Sequence, residues 1–130
     1  MNENTKLSKD RNYTREEISQ MLGIKDLNTY LPNKGGQTLA IRLSKALHPR
    51  APEEIYVGKR KAHVAQADVL ATTKKSLPVF VWDAKLKSRK YVGQFKYASH
   101  TSAPAALAEA NNLAVRADVV RVIKLKKVAE

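Results

Sequence analysis

From Leu77 to Tyr97 the chain reads Leu-Pro-Val-Phe-Val-Trp, a charged stretch, then Lys-Tyr-Val-Gly-Gln-Phe-Lys-Tyr, a pattern that predicts a β-hairpin. Pro78 stands at the start of the first strand, where a missing N–H costs little, and the β-branched and aromatic run from Val79 to Trp82 suits a pleated surface. The return strand alternates. Period two puts Tyr91, Gly93, Phe95 and Tyr97 on one face and Val92, Gln94 and Lys96 on the other. The segment between, residues 83–90, is too polar to bury and forms a solvated tip. Five of the eight aromatic residues lie in this hairpin, so its aromatic face is expected to centre the core.

The other elements follow from local pattern. Residues 1–12 carry Leu7 as their only apolar residue after Met1 and are expected to be a disordered tail. Thr14 opens a helix as a capping-box residue with Glu17 three positions on, Ile18, Met21 and Leu22 supply its apolar face, and Gly23 ends it. A turn at Asn33-Lys34-Gly35-Gly36 precedes a strand in which Leu39, Ile41 and Leu43 alternate with Thr38, Ala40 and Arg42. After the stiff link His48-Pro49-Arg50-Ala51-Pro52, Glu54 to Val57 forms a short strand, and the alanine-rich Lys61 to Thr73 favours a helix. Beyond the hairpin, Ser102 as N-cap and Pro104 in the first turn start a helix over Ala105 to Ala110 that stops at Asn111-Asn112, and Val119 to Leu125 is the last strand. The order α, β, β, α, β, β, α, β predicts one α+β domain over residues 13–130. Its curved mixed β-sheet is partly closed towards a barrel and flanked by short helices.

Charge changes this picture from architecture to partner. The 130 residues carry 24 Lys and Arg against 12 Asp and Glu, a net +12. The excess is uneven: residues 1–58 hold 9 basic and 7 acidic residues, residues 59–130 hold 15 and 5. Three basic runs, Lys59-Arg60-Lys61, Lys85 to Lys90 and Lys124 to Lys127, share the second half, a footprint suited to a polyanion. Cysteine is absent, which excludes disulfides and thiolate metal sites and fits a reducing compartment. No apolar run approaches the ~20 residues needed to span a bilayer, and the polar N-terminus is unlike a signal peptide. A cytoplasmic protein without a membrane partner is expected.

Catalytic chemistry is harder to find. His48, His63 and His100 are scattered, none with a second ligand at metal spacing, so neither a metal nor another cofactor is expected. No nucleophile elbow occurs, and a thiol nucleophile is excluded. Asp83, following Trp82 at the hairpin tip, reads first as a turn former and only second as an acceptor for a base edge. Phe80 and Phe95 read as core, whereas Trp82, Tyr91 and Tyr97, with polar handles beside the basic tip, are candidates of which one or two stack on a base.

Five short segments in order, Tyr13-Thr14-Arg15-Glu16-Glu17-Ile18, Tyr30-Leu31-Pro32, Pro49-x-Ala51-Pro52-x-x-Ile55-x-Val57-Gly58, Leu77-Pro78-Val79-Phe80 and Tyr91-Val92-Gly93, resemble the small domain often found N-terminal to prokaryotic HNH endonucleases. That domain is similar to PUA-like and SRA-like nucleic-acid readers. The resemblance spans about residues 13–97 and implies a PUA-like curved sheet and binding to DNA, with a modified base as one ligand of such domains. It covers no nuclease module here, so cleavage is not implied. The sequence thus points to a non-catalytic nucleic-acid-binding domain, DNA before RNA. Lys59, Arg60, Lys61, Lys85, Lys87, Arg89 and Lys90 would hold phosphates, and Trp82 and Tyr91 would stand beside bases. The alternative is a small basic interaction or inhibitor protein that docks on an acidic protein surface or on a nucleic-acid enzyme.

Overall fold

A computed structural model describes residues 7–25, 27 and 29–128. In chain order the elements are β1 (Asn12–Tyr13), α1 (Arg15–Leu22), β2 (Asn33–Lys34), β3 (Gln37–Thr38), β4 (Ile41–Leu43), β5 (Glu54–Gly58), α2 (Lys61–Thr72), β6 (Leu77–Asp83), β7 (Ser88–Thr101), α3 (Pro104–Ala114) and β8 (Val119–Val128). Five strands in the order β4-β6-β7-β8-β5 make a strongly curled half-barrel sheet, mixed because β4 runs parallel to β6 while the other neighbours are antiparallel. The α+β class and the partly closed sheet therefore match the sequence reading. Among the described residues no helix is long and apolar enough to cross a membrane.

The hairpin is the spine of the sheet. One edge of β7 pairs with β6 from Ser88 to Phe95, and its other edge is shared: β1 covers Arg89 and Lys90, and β8 covers Gln94 to Thr101. The tail expectation changes accordingly. Residues 1–6 lie outside the described residues, but residues 7–12 are held on β7. The Asp10 N–H donates to the Tyr91 carbonyl (2.8 Å), the Tyr91 N–H to the Arg11 carbonyl (2.9 Å), and the Ser8 N–H to the Tyr13 hydroxyl (2.7 Å). Asn12 Nδ2 donates to Ser88 Oγ at 2.9 Å. A polar segment can order in this way because its backbone completes a strand edge, a contribution that side-chain composition does not reveal.

The return strand does not keep its expected faces. Val79 pairs with Gly93 but Phe80 with Tyr91, so β7 carries one extra residue opposite that step, and Gly93 takes a φ of +124° there. A bulge reverses the side-chain alternation beyond it. Tyr91 therefore joins Phe80, Tyr13, Ile18 and Leu22 in a cluster beneath α1, while Phe95 joins Val79, Val81, Leu70 and Ile123 on the opposite face. The larger cluster takes residues from all five strands and is covered by α2 through Ala67 and Leu70. A third, of Tyr56, Val119 and Val122, is closed by Ala110 and Ala114 of α3. The alternation of Tyr56 with Ile55 and Val57, and of Phe80 with Val79 and Val81, puts α1 and α3 on one face and α2 on the other.

Three local features also differ from the sequence reading. The strand expected from Gln37 to Leu43 is two: β3 folds back on β2 through Gly35 and Gly36, both at positive φ as a tight hairpin turn requires, and only β4 enters the main sheet. Helix α3 runs past Asn111-Asn112, because the Asn111 amide pairs with the Val119 N–H (3.0 Å) and carbonyl (3.4 Å) from within the helix. Its N-cap is Ala103, and Ser102 Oγ instead donates to the Val120 carbonyl. The capping box of α1 is as read: Glu17 N–H donates to Thr14 Oγ1 (3.1 Å), Thr14 N–H to Glu17 Oε1 (2.9 Å), and Gly23 closes the helix at φ +68°.

Candidate functional site

The tip of the hairpin is built by Asp83. Its Oδ1 accepts the N–H groups of Lys85 (3.0 Å) and Leu86 (3.3 Å), and Oδ2 accepts from Asn12 Nδ2 (3.3 Å). These bonds, led by that from Leu86, hold the carboxyl below its usual pKa. Asp83 is therefore the turn former, with its acceptors occupied by the protein's own donors. Lys87 completes the turn in the left-handed region at φ +51°.

With the tip fixed, Trp82 stands out from the sheet at 43% exposure, with the Arg89 guanidinium over its ring at 5.5 Å. On one side lies an open cleft of about 810 Å³ between the start of α1, the end of β4 and the hairpin, lined by Arg15, Arg42, Lys87 and Arg89, with Glu16 the one carboxylate among the described lining residues. On the other side a second groove of about 410 Å³ is lined by Lys45, Lys85 and Lys90, with Asp83 at its edge. The aromatic residue is thus a ridge between two basic grooves.

The electrostatics of the first cleft are unusual. Arg42 sits on β4 at 8% exposure, its Nη1 donating to the carbonyls of Thr29 (2.8 Å) and Leu27 (3.4 Å). Burial, then the neighbouring charges of Arg89 and Arg15, lower its pKa to about 10. Arg89 is lowered too, by burial first and Arg15 second. Among the described residues neither has a carboxylate within ion-pair distance, and the Nε atoms of both are buried without a hydrogen-bond partner. A folded chain rarely holds like charges together with unmet donors, since each such donor costs about 1–3 kcal/mol.

Of the residues singled out in the sequence, the structure brings Trp82, Lys85, Lys87, Arg89 and Lys90 together at these grooves. Lys59, Arg60 and Lys61 are exposed at the start of α2 and line neither groove. Tyr91 is corrected: at 2% exposure, with its ring 5.7 Å from Phe80 and its hydroxyl accepting from Gln94 Nε2, it is core and unavailable for stacking. Arg15 and Arg42 were missed. Two signals pointed to them, an arginine at the positive end of a helix dipole and an arginine within a strand of otherwise apolar neighbours.

A second gathering of titratable groups is structural. His48 and His63, far apart in sequence, flank Tyr30 at ring distances of 5.5 and 5.7 Å beside a cavity of about 220 Å³. Gly58 lets them close, because a Cβ there would come within 2.7 Å of Asp118 Oδ2 and 3.0 Å of His63 Nδ1. Arg116 is fully engaged, with Asp118 through Nε and Nη2 (2.8 and 3.1 Å) and with the carbonyls of Leu47 and Tyr56 through Nη1 (3.1 and 3.2 Å). His48 Nδ1 accepts the Tyr56 N–H at 2.9 Å, so its proton is on Nε2. Burial pushes the Tyr30 hydroxyl up to about 12, too high to act as a base near neutrality. Among the described residues, no three of His, Asp or Glu gather as metal ligands.

This cluster gives the fold a pH dependence. Burial first, then Arg116 and His63, lower the His48 pKa from 6.5 to about 4. Between those values the unfolded chain binds a proton that the folded chain refuses, so stability falls as pH drops from 6.5 to 4 and is fully present above 6.5. The loss should approach about 3 kcal/mol. Urea unfolding at pH 7 and pH 4.5 should show a smaller difference for His48→Asn, whose amide oxygen can still accept the Tyr56 N–H; equal differences would remove His48 as the cause.

No family model, curated protein or solved structure matches the chain.

Proposed function

We propose that the protein is a non-catalytic nucleic-acid-binding domain, with DNA favoured over RNA, that grips phosphates in the two basic grooves and stacks a base on Trp82. The observation that carries this reading is the cleft itself: Arg42 and Arg89, desolvated and with no ion pair to a carboxylate among the described residues, beside an exposed indole. Phosphate oxygens are the acceptors such guanidiniums fit, and an aromatic face next to them takes a base without regard to sequence. The resemblance to the PUA-like and SRA-like domain that precedes HNH endonucleases supports DNA over RNA and makes a modified base a ligand worth testing. Lys59, Arg60 and Lys61 belong in this reading as a separate phosphate contact outside the grooves.

One observation favours the second reading, a basic factor docking on an acidic protein. Leu86 at the tip and Leu47 at the cleft rim are 65% and 53% exposed, apolar surface that a protein partner would cover and a phosphate backbone would not. Fluorescence anisotropy with labelled duplex DNA, single-stranded DNA and RNA, modified and unmodified, separates the two. Nucleic-acid binding predicts measurable affinity at low salt that falls linearly, on logarithmic axes, as salt rises. No binding to any of these at low salt would contradict it in favour of docking.

A further inference from the structure

Resting on the nucleic-acid reading, we infer that the inner end of the cleft between α1, β4 and the hairpin is a site for a terminal phosphomonoester, the doubly charged phosphate at the end of a strand. Three sets of donors meet there. Arg42 and Arg89 contribute buried Nε–H groups that have no acceptor among the described residues. The capping box of α1 engages the N–H groups of Thr14 and Glu17, which leaves those of Arg15 and Glu16 without helical acceptors at the positive end of the helix dipole, and these residues line the cleft. Ser44 and Ser88 add hydroxyls; Ser88 Oγ accepts from Asn12 and keeps its own proton to donate.

The choice of a terminal over an internal phosphate follows from charge and reach. Arg15, Arg42 and Arg89 repel one another at this point, with Glu16 the one carboxylate among the described residues that line it. A phosphodiester brings one negative charge, a phosphomonoester between about 1.5 and 2 near neutrality and a third free oxygen. Arg42 is also 8% exposed, so the group that meets its Nε must project inwards. The end of a chain can do this, whereas an internal phosphate must keep strand on both sides. The two Arg42 bonds to the Thr29 and Leu27 carbonyls fix the guanidinium beforehand, which reduces the ordering that binding requires.

The test uses three otherwise identical single strands, one with a 5′-phosphate, one with a 3′-phosphate and one with hydroxyl ends, and reads the affinity ratio of phosphorylated to unphosphorylated strand. The parent should prefer one phosphorylated end by about tenfold or more, the gain of roughly one charge-assisted contact. Arg15→Gln and Arg89→Gln should bring that ratio to about 1, even where overall affinity also falls. Equal affinity for all three strands in the parent overturns the terminal-phosphate site and leaves the nucleic-acid reading standing. If no strand binds, that reading fails, and thermal unfolding in sodium phosphate against sodium chloride at equal ionic strength decides the site alone. A rise in Tm with phosphate that Arg89→Gln abolishes supports an anion site; no rise overturns it.

Discussion

Phe80→Ala should lower the free energy of unfolding by about 3–5 kcal/mol, the range for deleting a buried phenylalanine ring. Phe80 is 1% exposed, meets Tyr13 edge-on at 6.0 Å and Tyr91 at 5.7 Å, and closes the cluster on which Ile18 and Leu22 of α1 rest. Its removal loosens the helix as well as the sheet. Phe95→Ala should cost a similar amount in the other cluster, beneath α2. Because Phe80 and Phe95 lie on opposite faces of the sheet, in separate clusters, the losses should add to within about 0.5 kcal/mol in the double variant. Urea unfolding checks both. Losses below about 1 kcal/mol for each would show that the hairpin is peripheral to the fold.

The packing of Tyr91 against Phe80 depends on a feature the period-two pattern does not contain. Alternation identified β7 as a strand, but a single inserted residue leaves the composition of the strand unchanged while reversing its faces. Gly93 was the available sign, since a glycine inside a strand often marks a bulge. The same step moved Tyr91 from candidate stacker to core. Arg42 was hidden for a related reason: a half-buried strand implies one solvated face, and β4 is buried on both, with Ile41 and Leu43 under α2 and Arg42 on the α1 side. Local chemistry was easier to read. The Thr14–Glu17 capping box, the Asp83 turn and the basic tip beside Trp82 depend on neighbours in sequence, and the structure has all three. The meeting of His48 and His63 at Tyr30, like the seating of residues 7–12 on β7, depends on contacts distant in the chain and leaves no periodic trace.

The largest effects on binding are expected from Trp82, Lys87 and Arg89. Trp82→Ala should weaken single-strand binding by about 1–3 kcal/mol, roughly 5- to 150-fold, if one base stacks on the ring, and should alter preference between strand types more than it alters salt dependence. Lys87→Asn with Arg89→Gln should act differently, lowering affinity for all sequences alike, because phosphate contacts carry no base information. Asparagine suits position 87, where the backbone is left-handed. Arg89 makes no ion pair with a carboxylate among the described residues, so its replacement should leave the fold intact, which Tm checks.

The central claim is that the cleft beside Trp82 holds phosphates, and a salt titration of the Lys87→Asn/Arg89→Gln protein beside the parent, on one duplex and one single strand, tests it most directly. The slope of log affinity against log salt should be shallower in the variant by about 1 for each phosphate contact removed, with weaker binding throughout. Identical slopes and affinities for the two proteins would contradict it.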